Sequence, residues 1–192
     1  MRNKKLQAMT ECAIFVAMAM GLSYLKIPIG LEFGGFGGSI DLVMIPLIVA
    51  SCRWGLGWGL GASLVFGTLK YFFAGGRAVN WESMLLDYSI AYMFVGFSGL
   101  LKRKPDQMWL AALIGCAARF LVHFISGITI YAVKGGGTLE AQVNNTAVFS
   151  LHAHNACVYS LIYNAAYMLP NTILAVILCL ILGKALRKQL LK

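Results

Sequence analysis

The chain has 192 residues, 59% of them apolar and only 12% charged, with a mean hydropathy of +0.75. That balance excludes a water-soluble domain and predicts an all-α membrane protein, one integral-membrane domain over residues 1–192 with no soluble appendage. The net charge of +9 would suit a nucleic-acid binder, but the basic residues decide against it.

Arg2, Lys4, Lys5, Arg53, Lys102, Arg103, Lys104, Lys184, Arg187, Lys188 and Lys192 all fall at segment ends on one side of a six-helix topology. This is the positive-inside pattern, and it places both termini in the cytoplasm. The six transmembrane helices are expected at about 6–26, 39–53, 54–73, 83–101, 108–133 and 155–186.

The first segment superficially resembles a signal peptide, with Ala17-Met18-Ala19 as its cleavage site. Its length and its internal Glu11 favour a retained helix. Ala13, Ala17 and Gly21 repeat on it every four residues, and small residues so spaced admit a second helix closely, from within the protein or from a partner. Residues 27–38 hold Pro28 and repeated glycines and cannot form regular helix. They are expected to lie outside as a glycine-rich loop, with Phe33 and Phe36 serving as a lid over a pocket or as anchors in the interface.

In the second segment Asp41 is expected to cap the helix start with Ser39, the alternative being a place in the pocket. The third segment carries Gly55, Gly59, Ser63 and Gly67 on one ladder and Gly57 and Gly61 on another, which calls for backbone-to-backbone packing. Lys70, near its outer end, is expected to snorkel to the interface.

The fourth segment contains Leu85-Leu86-Asp87-Tyr88. A carboxylate at that depth is costly unless paired, which makes Asp87 a functional candidate by default. Helical phase sets Tyr88 and Tyr92 on one face with Asp87 beside it. The fifth segment carries Arg119, His123, Gly127 and Tyr131 on one slowly drifting stripe. Glycine at 127 would leave room for a ligand between His123 and Tyr131. Arg119 lies towards the cytoplasmic end of the stripe, so no basic side chain is expected to pair with Asp87, and the ligand is expected to be its partner.

His152 and His154 have no third metal ligand at a useful spacing and read as interfacial, so no metal and no cofactor is expected. The last segment aligns Tyr159, Tyr163 and Tyr167, sets Asn164 beside them, and loses a ladder hydrogen bond at Pro170. Cys12, Cys52, Cys116, Cys157 and Cys179 show no CxxC spacing and read as buried thiols.

Asp87, Tyr88, His123, Tyr131, Tyr159 and Asn164 together describe an outward-facing pocket of one carboxylate, hydrogen-bonding groups and rings. It suits a flat, nitrogen-containing cation.

The motifs Gly37-Gly38-Ser39-Ile40, Met44-Ile45-Pro46, Arg53-Trp54-Gly55, Leu86-Asp87-Tyr88 and His123-Phe124-Ile125-Ser126-Gly127, with the run Tyr159 to Pro170, are similar to those of a known family. The chain resembles the thiamine-specific S component of energy-coupling factor (ECF) vitamin transporters. The resemblance implies a bacterial plasma-membrane subunit that captures thiamine and joins a transmembrane coupling subunit and two ATPases. It also implies pyrimidine-side contacts from Asp87, His123, Tyr159 and Asn164, with Tyr88, Gly127 and Tyr131 completing the walls and Phe36 in the lid. Ala13, Ala17 and Gly21 would form the docking face. Some members carry glutamate where Asp87 stands, and some tryptophan near the end of the first loop and at position 131.

Thiamine would be taken from outside, the 27–38 loop would close, and release inward would follow ATP hydrolysis by the partners. The chain holds no GxxxxGK[ST] phosphate loop, so that hydrolysis must occur elsewhere. A stand-alone ion-coupled carrier is the alternative, though no inverted repeat is evident. An intramembrane enzyme using Asp87 and His123 would lack a nucleophile motif, so the chain is read as no enzyme.

Overall fold

The computed structural model describes residues 3–28, 38–76, 78, 80–131, 147–148, 151–152 and 156–191. The expected lid, including Phe33 and Phe36, falls largely on residues 29–37 and lies outside the described residues, as does His154.

Helix α1, Lys4–Leu22, starts where the Asn3 side chain accepts the Lys5 backbone N–H. Its inner face, Ala8, Cys12, Val16 and Ala19, is buried against the next two helices. Ala13, Ala17 and Gly21 lie on the opposite, exposed face. The small-residue ladder therefore packs against nothing within the described chain.

Strand β1, Ile27–Pro28, pairs antiparallel with β2, Ser39–Ile40. The expected second helix thus begins late, as α2, Met44–Trp54. The cause is visible in the last long helix: the Asn171 amide donates to the Ser39 carbonyl at 2.8 Å and accepts the Asp41 backbone N–H at 2.8 Å, which holds this segment extended. Pro46 then sits in the first turn of α2, where its missing N–H costs no ladder bond.

Helix α3, Leu56–Phe73, packs along α4, Trp81–Leu101. A Cβ added at Gly67 would meet the Tyr88 carbonyl and come within 2.9 Å of the Tyr92 Cβ, so glycine is what allows this crossing. Gly59 faces Ser51 and Gly96 in the same way, whereas Gly57 and Gly61 have nothing within 4 Å. One glycine ladder serves packing and the other looks outward.

Helix α4 changes gauge along its length. A first α turn, Trp81–Met84, is capped by the Asn80 side chain, and Leu85–Ile90 then widens into a π-helical stretch. Ala91–Val95 is α again, and Gly96–Leu101 tightens to 3-10. Wide turns of this kind recur at functional sites, and this one carries Asp87 and Tyr88.

Helix α5, Met108–Ser126, continues through a second π turn, Gly127–Tyr131. It packs extensively against α6, Ala156–Ala185, which runs on through Pro170. Strands β3, Ala147–Val148, and β4, Leu151–His152, form a short antiparallel pair, and α7, Arg187–Leu191, closes the described chain.

Three arginines at helix ends tie neighbouring segments together. Arg53 binds Glu11 of α1 and the Gln189 carbonyl of α7, the Arg103 N–H donates to the Cys52 carbonyl at 2.9 Å, and Arg187 pairs with Asp106 at 2.7 Å. Among the described residues four helices are long and apolar enough to span: Lys4–Leu22, Trp81–Leu101, Pro105–Thr129 and Ser160–Ala185. Helix α2 is only 11 residues long, and α3 brings four glycines and a lysine into its composition. Four of the five cysteines are buried as expected, while Cys157 is exposed.

Candidate functional site

The π turn of α4 directs Asp87 towards α5. The carboxylate meets His123 Nδ1 through Oδ1 at 3.3 Å, and its Oδ2 accepts from the Ser83 hydroxyl at 3.3 Å. Asp87 therefore has a fixed partner from the protein, contrary to the sequence-based expectation. The ring that supplies it lies on another helix, and sequence spacing alone carries no information about that approach.

His123 is the middle of a longer chain. Arg119, one turn back on α5, donates from Nε to His123 Nε2 at 3.3 Å and from Nη2 to the Tyr92 hydroxyl at 3.0 Å. Its guanidinium carbon stands 4.0 Å from the centre of the Tyr92 ring. The same hydroxyl accepts from Lys70 Nζ at 2.6 Å, and Lys70 pairs with Asp41 at 2.9 Å. Lys70 is 7% exposed, so it does not snorkel: its ammonium turns inward to a buried carboxylate. Asp41 accepts from the Ser39 hydroxyl at 3.1 Å and from the Val43 N–H at 3.4 Å, yet it is not the expected cap of the helix start: α2 begins without a side-chain cap, and the strong partner of Asp41 is Lys70.

Two carboxylates, Asp41 and Asp87, thus flank two cations, Lys70 and Arg119, along one chain of contacts that runs from the segment before α2 to the fourth and fifth helices. Each buried charge has an opposite partner or a ring beneath it, the condition under which such groups are tolerated away from water.

Helix α6 closes the third side. Asn164 is buried; its Oδ1 accepts from the Tyr167 hydroxyl at 2.7 Å, and its Nδ2 donates to the Ser160 carbonyl at 2.9 Å. A longer contact, 3.4 Å, runs from Nδ2 to the His123 carbonyl. The Tyr167 ring stands edge-on to His123, with centroids 6.2 Å apart, and also packs with Tyr163. Gly38, at φ +130°, lies against the Tyr167 ring: an added Cβ would come within 2.8 Å of it.

Gly127 does not face open space in its Cβ direction. A Cβ there would strike the Ser160 hydroxyl, which donates to the Phe124 carbonyl at 3.0 Å. Its bareness therefore admits α6, and the expected gap for a ligand is not on that side.

Asp87, His123 and Asn164 are brought together from three helices. Tyr88 is half-buried, with its ring 5.2 Å from that of Tyr71. The backbones of Tyr131 and Tyr159 continue α5 and lie in α6, but their side chains, like the whole of Phe36, lie outside the described residues. Sequence reasoning did not assign Ser83, Tyr92, Tyr167 or Arg119 to the site. Arg119, Tyr92 and Tyr167 did carry a signal, since each shares a four-residue stripe with a site residue.

The sequence profile of the family described as thiamine transporter protein matches residues 9–191. The chain belongs to the thiamine transporter protein family. Within it, the chain is 30% identical to the thiamine transporter ThiT of Bacillus subtilis, over 97% of this chain and 95% of that protein. It is 27% identical to a thiamine transporter ThiT of Lacticaseibacillus paracasei, over 92% and 86%. Its fold matches a solved structure of ThiT from Listeria monocytogenes with a TM-score of 0.77 at 27% identity, covering 97% of this chain and 98% of that one. Membership of a transporter family agrees with the reading of the chain as no enzyme.

Proposed function

We propose that this chain captures thiamine from outside the cell as the substrate-specificity subunit of an ECF-type transporter, with uptake driven by ATP hydrolysis in separate subunits. The observation that carries the reading is the Asp87 carboxylate in its wide helical turn, converging with His123 and Asn164 from two other helices in a chain of this family. A carboxylate flanked by rings suits an aminopyrimidine joined to a cationic ring: it accepts amine protons and offsets the charge.

In this reading the bundle is one domain that crosses the bacterial plasma membrane six times, with α2 and α3 as the shorter spans and the basic segment ends in the cytoplasm. Tyr88, Tyr131, Tyr159 and the Gly127 backbone complete the walls, and the 27–38 loop with Phe36 closes over the ligand. Ala13, Ala17 and Gly21 dock on the coupling subunit. Their exposure on the outer face of α1 supports this, since an internal packing role would have buried them.

Calorimetric titration of the purified protein with thiamine tests the first step. Saturable binding that Asp87→Ala weakens about a hundredfold is expected, and absence of binding by the unmodified chain rejects the proposal.

A further inference from the structure

The contacts of His123 have a chemical consequence for the site. A guanidinium has only N–H donors and no acceptor, so the Arg119 Nε–H that points at His123 Nε2 needs a lone pair there. Nε2 then carries no proton. The opposite nitrogen, Nδ1, faces Asp87 Oδ1 at 3.3 Å, and a carboxylate offers acceptors only. A proton on Nδ1 satisfies that contact.

We propose that Arg119 is a positioning residue that fixes His123 as the neutral imidazole protonated on Nδ1, so that no imidazolium charge stands beside Asp87 where a cationic ligand would bind. The inference rests on the reading of the pocket as a cation site.

Three features hold Arg119 to this task. Its other arm is tied to the Tyr92 hydroxyl at 3.0 Å, its guanidinium carbon stands over the Tyr92 ring, and it is 5% exposed, so it cannot swing into water. Among the described residues, charged and titratable groups reach the ring's surroundings from several neighbouring elements. Helix α4 brings Asp87 and Tyr92, α3 brings Lys70, the turn before α2 brings Asp41, and α6 brings Tyr167 edge-on to the imidazole.

Without Arg119 nothing reserves the Nε2 lone pair. The ring could then take a second proton and form an imidazolium–carboxylate pair with Asp87, which would add a positive charge at the ligand site. Arg119 thus acts on ligand charge selectivity through His123 rather than by touching ligand. Its fixed donor also sets the ring plane, because the tautomer and orientation of a histidine follow the hydrogen bond at its far nitrogen.

The test reads the ring directly. A His152→Gln, His154→Gln variant leaves His123 as the single histidine of the chain's three. Labelled with 15N-histidine and reconstituted in lipid nanodiscs without ligand at neutral pH, it is examined by 15N–1H correlation NMR. A protonated Nδ1 and a bare Nε2 are expected. A proton on Nε2, or on both nitrogens, overturns the proposal.

The same spectrum of Arg119→Met is expected to lose the single tautomer, and its thiamine Kd to rise about tenfold, the size of one lost charge-assisted hydrogen bond. A folded Arg119→Met protein with the tautomer unchanged also overturns the proposal. If that variant fails to fold, the spectrum with Arg119 in place decides alone. Because that spectrum is recorded without ligand, a chain that binds no thiamine would reject the functional reading and leave the tautomer assignment standing.

Discussion

Asp41 and Asp87 are both acids in apolar surroundings, yet they are held in different ways, and that difference predicts different outcomes. Asp41 is locked to Lys70 with both side chains nearly inaccessible. Removing the cation leaves a buried, uncompensated charge. Lys70→Met is therefore expected to destabilise the protein by about 3–5 kcal/mol, and adding Asp41→Asn should recover at least half of the loss. Thermal unfolding midpoints in detergent measure both. Asp87 has the softer partners, a neutral imidazole and a hydroxyl at 3.3 Å each. Asp87→Ala is expected to leave the unfolding midpoint within a few degrees while weakening thiamine binding about a hundredfold, as measured by calorimetry.

At the level of elements, the glycines of α3 divide by what they face. Gly67→Ala would drive a methyl into the Tyr88 carbonyl, at the turn that carries Asp87. It should cost about 1–3 kcal/mol and disturb binding as well. Gly61→Ala meets open space and relieves the entropy cost of a helical glycine, so its midpoint should equal or exceed that of the parent. A lower midpoint for Gly61→Ala than for Gly67→Ala would refute the assignment of faces. The root of the hairpin makes the complementary point. Ser39–Ile40 has the composition of a helix start, but the Asn171 side chain, 130 residues from Asp41 in sequence, holds it as strand. A local pattern was overridden by a distant amide, because two good hydrogen bonds outweigh the weak propensity of a few residues.

For the whole molecule, binding and transport should separate. Ala13→Leu with Ala17→Leu enlarges only the exposed face of α1, opposite Cys12 and Val16. Such a variant is expected to bind thiamine as the parent does while losing uptake in cells and co-purification with a coupling subunit. Retained uptake would remove the docking assignment.

The sequence by itself determined the membrane class and the order of the apolar segments, and it offered Asp87, His123 and Asn164 among its candidates. These follow from composition and helical period, which act within a segment. Only the tertiary structure decided that Lys70 turns inward, that Gly127 receives Ser160, and that Asp87 meets His123, which in turn meets Arg119. Each of those depends on the angle and separation at which two helices cross or on the gauge of a single turn. The π stretch at Leu85–Ile90 shifts side-chain directions away from the α-helical period that sequence reading assumes. A carboxylate that looked unpaired in one dimension is paired in three, and the pairing proton is set by a residue one turn away on the facing helix.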